Sequence, residues 1–198
     1  MAAPVSIAHA HVHSLRLASG AEALVARVLA ADGTAGFGFT LNDDAAVARD
    51  MAAWDALGKS KRVALFGLLG GSHRKQIPLL RDDLPAIAPD WPSFRKGVLE
   101  GRWEILRIDP FAWGSVEMVQ TVAAAAAAFD LDVALLAPNA HPWEIQYCAA
   151  LAATIKGDDT RIIVRGSLSL TFVPVPEVPG VGIDWTSESG FQSIQWKS

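Results

Sequence analysis

From Trp103 to Ile155 the chain alternates strand-like and helix-like segments with short joins, and few architectures accommodate that pattern. Trp103 to Ile108 (WEILRI) reads as a strand ending at Asp109-Pro110, and Ser115 to Phe129 as a helix. Val133 to Leu136 then reads as a strand and Pro142 to Ile155 as a helix. Such a β-α-β-α run implies a parallel sheet with crossover helices, because parallel neighbours cannot be joined by a tight hairpin. Arg161 to Val164 and Ser169 to Val173 finish the series as strands. Upstream, Gln76 to Leu80 (QIPLL) is a further strand, and Ser93 is placed to cap a helix from Phe94 to Gly101. Arg81 to Pro92 (RDDLPAIAPDWP), which joins them, is rich in proline and aspartate and reads as loop.

The first third of the chain has a different periodicity. Val5 to Leu17 and Ala21 to Ala31 alternate small or apolar residues with polar ones, the period of a strand. Asp32-Gly33 marks a hairpin turn into a third strand, Thr34 to Leu41. Asn42 or Asp43 is positioned to cap a helix from Asp44 to Leu57, with Gly58 as its C′ stop. The expected class is α/β: an antiparallel meander with a helix, followed by parallel βα units.

Composition narrows the range of partners. Of 198 residues, 51% are apolar and 19% charged, enough to build a core without disulfides or metals. The longest apolar run, Val119 to Phe129, falls short of the ~20 residues that cross a bilayer, so it reads as a buried helix and no membrane association is expected. The net charge of −4 comes with no basic cluster larger than Lys59 to Arg62, which argues against nucleic acid and leaves a small molecule or another protein as partner. The opening MAAPVSIAHAHVH has no basic stretch ahead of an apolar one, so no secretory signal is expected. A single cysteine, Cys148, cannot form an internal disulfide and fits a reducing compartment; the expected location is the cytoplasm.

Two stretches carry a resemblance. Ala52 to Gly71 reads AAWDALGKSKRVALFGLLGG, and Pro179 to Trp185 reads PGVGIDW. The first resembles the W-D-x-x-G-K helix, linker and L-L-G-G turn of the enolase superfamily, of the mandelate racemase and muconate-lactonizing type. The second resembles that family's closing P-G-x-G segment. The meander with its D-G-x-x-G-x-G turn resembles the start of the family's capping domain. The run from Ser93 to Ile155 resembles the late part of its barrel: fifth helix, sixth strand and helix, seventh strand and helix. A complete (β/α)₈ barrel takes about 250 residues, and the whole chain has 198. The resemblance therefore implies a truncated, incomplete enolase-type β/α barrel in which Gln76 to Leu80 stands for strand one and strands two to five are missing. It implies a shortened capping domain over 1–74, a barrel remnant over 75–176 and a segment, 177–198, returning to the capping domain.

The same resemblance implies what chemistry to look for. Family members abstract a proton beside a carboxylate and stabilise the resulting enediolate on Mg²⁺. The ion is held by acidic residues after strands three, four and five, and a K-x-K pair follows strand two. All of these fall in the missing part. Lys59-Ser60-Lys61 is a K-x-K only in the capping-domain linker, so the role is not carried over. Asp109 stands where many members have an aspartate after strand six. After strand seven, where racemase-type members have a histidine, this chain has Asn139, with His141 two residues on. An Asp-His pair could serve as a general base; the plainer reading, which we take, is that Asp109 caps the next segment and His141 lies in a loop ahead of the Pro142 helix.

Other polar groups read as structural. His9, His11 and His13 share one face of a strand, but neighbours two apart are roughly 6.5–7 Å from each other, wide for one zinc ion, although two of the three can share one. A half-exposed strand is the reading taken, and no metal site is assigned. Asp82, Asp83 and Asp90 read as a solvated loop rather than a carboxylate cluster. Trp54, Trp91, Trp103, Trp113, Trp143 and Trp185 read mostly as core or interface anchors. The alanines from Ala123 to Ala128 read as helix packing. Gly67 to Gly71 precedes a strand, so it is no phosphate loop.

The expectation is a degenerate enolase-superfamily protein without the family's metal-dependent activity, needing no cofactor and forming a homo-oligomer, a dimer in the first instance, because missing strands leave open sheet edges. A small carboxylate is the ligand to test first. The alternative is an active acid-sugar isomerase or lyase that uses Mg²⁺ and completes its site by oligomerisation. A third possibility, an unrelated small ligand-binding domain, requires both end motifs to be coincidence.

Overall fold

A computed structural model describes residues 7–71, 74–82, 90–157, 159–165 and 170–196. The chain forms two compact units, one of residues 1–68 with 177–198 and one of residues 69–176. Among the described residues no helix is long and apolar enough to cross a membrane.

The first unit is a three-stranded antiparallel sheet in the order β1 (Ile7–Arg16), β2 (Glu22–Ala30), β3 (Ala35–Thr40), followed by α1 (Ala45–Lys61) and a short α2 (Leu65–Leu68). Small residues let the helix lie almost on the backbone of the sheet. A Cβ on Gly36 would stand 2.2 Å from the Ala52 carbonyl oxygen, and one on Gly38 2.1 Å from that of Ala48. Ala26 and Val28 meet Ala48 and Ala52 in this layer, with Val12 packed beside them. The next positions along β3 carry the large side chains. Phe37 and Phe39 make ring contacts with Trp185, and Phe37 also touches Phe191 and Trp196, all from the closing segment. That segment forms a 3₁₀ turn (Trp185–Ser187) and a last short helix (Ser189–Gln192).

Asp55 locks helix, strand and closing segment together. Its side chain is 1% exposed. It accepts the Phe37 N–H at 2.8 Å, the Val181 N–H at 3.0 Å and the Lys59 ammonium at 2.5 Å. Gly180 must be glycine for this to happen: it sits at φ +91°, and a Cβ there would lie 2.1 Å from Asp55 Oδ1. Its own N–H donates to the Val63 carbonyl and its carbonyl accepts from the Leu65 N–H at 2.7 Å.

Two expectations about α1 are corrected. The N-cap is Asp44, whose side chain accepts from the Ala46 N–H, rather than Asn42 or Asp43. The helix also continues past Gly58 to Lys61, and Arg62, at φ 58°, takes the left-handed cap position expected of Gly58. Gly58 is glycine for packing, because a Cβ on it would be 2.6 Å from the Gly180 Cα. Lys59-Ser60-Lys61 is therefore the last turn of a helix and not a linker.

The second unit is a five-stranded sheet in the order β5 (Ile105–Ile108), β6 (Asp132–Ala137), β7 (Arg161–Val164), β4 (Gln76–Arg81), β8 (Phe172–Pro174). The first four are mutually parallel and β8 runs antiparallel to β4. Under the correspondence drawn from sequence, those four are barrel strands six, seven, eight and one, the order in which a closed barrel has them at its seam. Crossover helices α4 (Val116–Ala127) and α5 (Pro142–Ala152) link β5 to β6 and β6 to β7. The buried alternate positions Leu106 and Ile108, Val133 and Leu135, Ile162 and Val164 line up across the pairing register, and burial of such side chains supplies about 1.5–3 kcal/mol each. Ser115 caps α4 through the Met118 N–H.

The helix before β5 starts earlier than Ser93 suggested. It is α3 (Trp91–Leu99), capped by Asp90, which accepts from the Ser93 N–H at 2.7 Å. Pro92 occupies the first turn, where its missing N–H costs nothing. Strand β5 begins at Ile105, two residues after Trp103. Arg81 belongs to β4, Asp90 to Pro92 belong to the start of α3, and the part of the expected loop over 83–89, with Asp83, lies outside the described residues. So do Val5 and Ser169, the first residues of two expected strands. Trp91 is 39% exposed and makes ring contacts with Phe94 and Trp113.

Replacing Asp55 by Ala would orphan the Phe37 and Val181 N–H groups, at about 1–3 kcal/mol each. We expect Asp55→Ala to lower the urea midpoint and to speed amide exchange selectively at Phe37 and Val181; unchanged exchange at both amides would contradict the role given to this carboxylate.

Candidate functional site

Because β4, β5, β6 and β7 are parallel, their carboxyl ends share one side of the sheet, the side on which α/β barrels and open sheets place their chemistry. Asp82 follows β4, Asp109 follows β5, Asn139 and His141 follow β6, and Arg165 follows β7. Asp109, Asn139 and His141 are thus gathered at one end of the fold by its topology alone.

Their atoms are taken up locally. Asp109 Oδ1 accepts from the Phe111 N–H at 2.9 Å and the Ala112 N–H at 3.3 Å, closing the turn that leads toward α4. Asn139 donates its backbone N–H at 3.0 Å and its side-chain amide at 2.8 Å to the carboxylate of Glu144. His141 is the N-cap of α5, a defined structural position where a simple loop was expected. Its Nδ1 accepts from the Trp143 N–H at 3.2 Å, and its backbone N–H donates to Glu144 at 3.3 Å. With Nδ1 accepting, the neutral ring carries its proton on Nε2.

Glu144 is the residue that sequence reasoning passed over. It is 1% exposed, stands at the third helical position of α5 and completes a capping box with His141. The signal was present as His141-Pro142-Trp143-Glu144: a glutamate three residues after a cap position, ahead of an apolar helix. Histidine is not among the usual cap residues, and the pattern was missed for that reason.

The electrostatics of the cluster follow from burial. Desolvation raises the Glu144 carboxyl above its ordinary value of 4.5; the Asn139 and His141 donors pull it down, and the Asp109 charge pushes it up again. Desolvation also raises Asp109 above 3.8, against the Phe111 and Ala112 N–H groups and the Arg165 guanidinium. Beneath them the Cys148 thiol is fully buried and raised well above its usual value, first by desolvation and then by Glu144 and Asp109. It stays a thiol, bonded to the Leu136 carbonyl, and is no nucleophile.

Two carboxyls with raised proton affinity can hold and donate a proton. They do not fit a Mg²⁺ ion well, since that ion wants near-octahedral oxygen ligands and both Glu144 oxygens and Asp109 Oδ1 already accept N–H bonds. Among the described residues no group of three or more His, Cys, Asp or Glu side chains is placed to hold a metal ion. His9, His11 and His13 lie on β1, in the other unit. Asp82 bonds Arg107 at 2.8 Å and Asp90 caps α3, so the two described aspartates of that trio have separate structural partners. Lys59 is paired with Asp55.

The fold is that of enolase-superfamily enzymes. A mandelate racemase/muconate lactonizing enzyme structure from Bordetella bronchiseptica RB50 matches with a TM-score of 0.73 at 12% identity, over 92% of this chain and 97% of that one. An isomerase from Streptomyces coelicolor A3(2) matches with a TM-score of 0.72 at 13% identity, over 91% and 94%. An enolase from Pseudomonas fluorescens Pf0-1, with bound magnesium, potassium and tartrate, matches with a TM-score of 0.71 at 13% identity, over 92% and 90%. No family model matches the chain, and no curated protein matches it. At such identities the likeness establishes the fold and carries no residue roles.

The raised Glu144 has a signed consequence for stability. The folded state holds this proton more tightly than the unfolded chain, so the group's contribution is full below pH 4.5 and is lost as pH rises through the raised folded value. The stability of the native protein relative to Glu144→Gln should therefore be greatest in acid and shrink toward neutral pH. Urea melts of both proteins across that range check this, and a difference that grows with pH would refute it.

Proposed function

We propose that this chain is a degenerate member of the enolase superfamily, of the mandelate racemase and muconate-lactonizing type, which keeps the fold as a compact α/β module and lacks the family's metal-dependent proton abstraction. The observation that carries this reading is the use made of Asp109, Asn139 and His141: each has hydrogen-bonding atoms committed to shaping the turn or helix start in which it sits. A base without a metal leaves an enediolate without its principal stabilisation. The role left to the module is binding or structural, in a cytoplasmic homo-oligomer, with a small carboxylate as the ligand to test first. The tartrate held by the Pseudomonas fluorescens neighbour makes that hydroxy acid a sensible probe.

One observation favours the alternative of an isomerase or lyase. Glu144 is buried and Asp109 half-buried, and burial raises the proton affinity of both, the usual preparation of a general acid. On that reading a second copy would have to supply the ion's ligands.

Calorimetric titration separates the two. We expect Mg²⁺ and Mn²⁺ to show no site tighter than about millimolar, against a family whose ion is held by carboxylates. We expect Asp109→Asn to lower the melting temperature while leaving no turnover to lose. A micromolar Mg²⁺ site, or Mg²⁺-dependent deuterium exchange into a sugar acid, would establish the enzyme instead.

A further inference from the structure

Strand β1 is an edge. Its register is with β2 alone, and no described residue pairs with it on its outer side. At ten residues it is far longer than the four-residue β5, the outermost parallel strand of the other sheet. Edge strands are usually protected by shortness, charge, proline or a bulge, and the register irregularity of β1 is confined to its start, between Ile7 and His9. From Ile7 to Leu15 this one has no lysine, arginine, acidic residue or proline. Ile7 is 47% exposed, Ala8, His9 and Ala10 are exposed, and His11 to His13 are half-buried. Such an edge is a template for another strand.

We propose that two copies pair along β1 as antiparallel strands about a two-fold axis at His11, and that the paired edge binds zinc between His9 of one copy and His13 of the other. The inference uses only the homo-oligomer of the proposed function and is independent of whether the chain is catalytic. The occupant is set by the spacing. His9, His11 and His13 are symmetric about His11, so a two-fold axis there opposes His9 to His13 on both sides of a central His11 pair.

The pairing also answers the distance objection. Histidines two apart on one strand are roughly 6.5–7 Å from each other, whereas residues directly opposed across an antiparallel pair have Cβ atoms about 4.5–5.5 Å apart. Two imidazoles at that separation converge readily on one ion with Zn–N bonds of about 2.0–2.1 Å, and water completes the coordination. Arg27 lies opposite His11 in the β1–β2 register, on the same face. The central rung thus already carries a cationic residue, and the ions are assigned to the outer rungs, one per chain. Trp196 meets the His13 ring edge-on at 4.9 Å and fixes its orientation.

The test is the solution mass of the full chain after stripping with EDTA. One equivalent of zinc should double the mass from the 21.0 kDa of a single chain, and EDTA should reverse it. His9→Gln and His13→Gln, checked as folded by circular dichroism, should each need at least about tenfold more zinc, the lower bound for disturbing a metal's surroundings; His11→Gln should keep the response. No change of mass with zinc, or a response equal to wild type in both outer variants, would overturn the proposal. A dimer that forms without zinc and ignores EDTA would also overturn it, while leaving the homo-oligomer expectation standing.

Discussion

The first unit depends on one carboxylate. Asp55 is withdrawn from water, at a cost that shows as a raised proton affinity, and is compensated by a lysine and by the backbone N–H groups of Phe37 and Val181, the second of them 126 residues further along the chain than Asp55. A buried acceptor left alone would be expensive, so helix, strand edge and closing segment have to arrive together. Gly58 and Gly180, each without a Cβ where one would collide with the other's surroundings, make room for that arrival. The two motifs that stood out in the sequence, 127 residues from start to start, are the two halves of this contact.

The alternation of strands and helices was legible in the sequence because it is a solvent-partition pattern, and burial enforces it. The caps were harder. Asn42, Asp43 and Asp44 can all accept an N–H from a first turn, and only the path of the chain into α1 selects Asp44. Ser93 lost to Asp90 for a related reason: Trp91-Pro92 makes a good first turn, and the serine's N–H becomes the donor instead of its hydroxyl the acceptor. Gly58 looked like a helix stop because glycine in a helix interior costs about 1 kcal/mol against alanine. Close packing on Gly180 outweighs that cost, a fact held by a contact between distant residues and by no local pattern.

The candidate site shows the same limit from the other side. Family likeness directed attention to Asp109, Asn139 and His141, which the topology does gather at the carboxyl ends of parallel strands. It could not direct attention to Glu144, whose importance comes from the bonds it accepts from Asn139 and His141 and from the low-dielectric pocket that it shares with Cys148. Polar residues at this end of the sheet close turns and start helices around a core of Leu135, Tyr147 and Trp143.

Strand β8 has a further meaning. It runs against β4 on the side where a complete barrel would place its second strand, and pairs there through Gln76, Ile77 and Pro78. Two partial barrels can close into one ring only if each offers both of its outer strands. Among the described residues the outer strands here are β5 and β8, the latter three residues long and antiparallel to β4. A second copy meeting the β8 edge would meet a strand that runs against the barrel direction, so pairing there lengthens the sheet without continuing its parallel order.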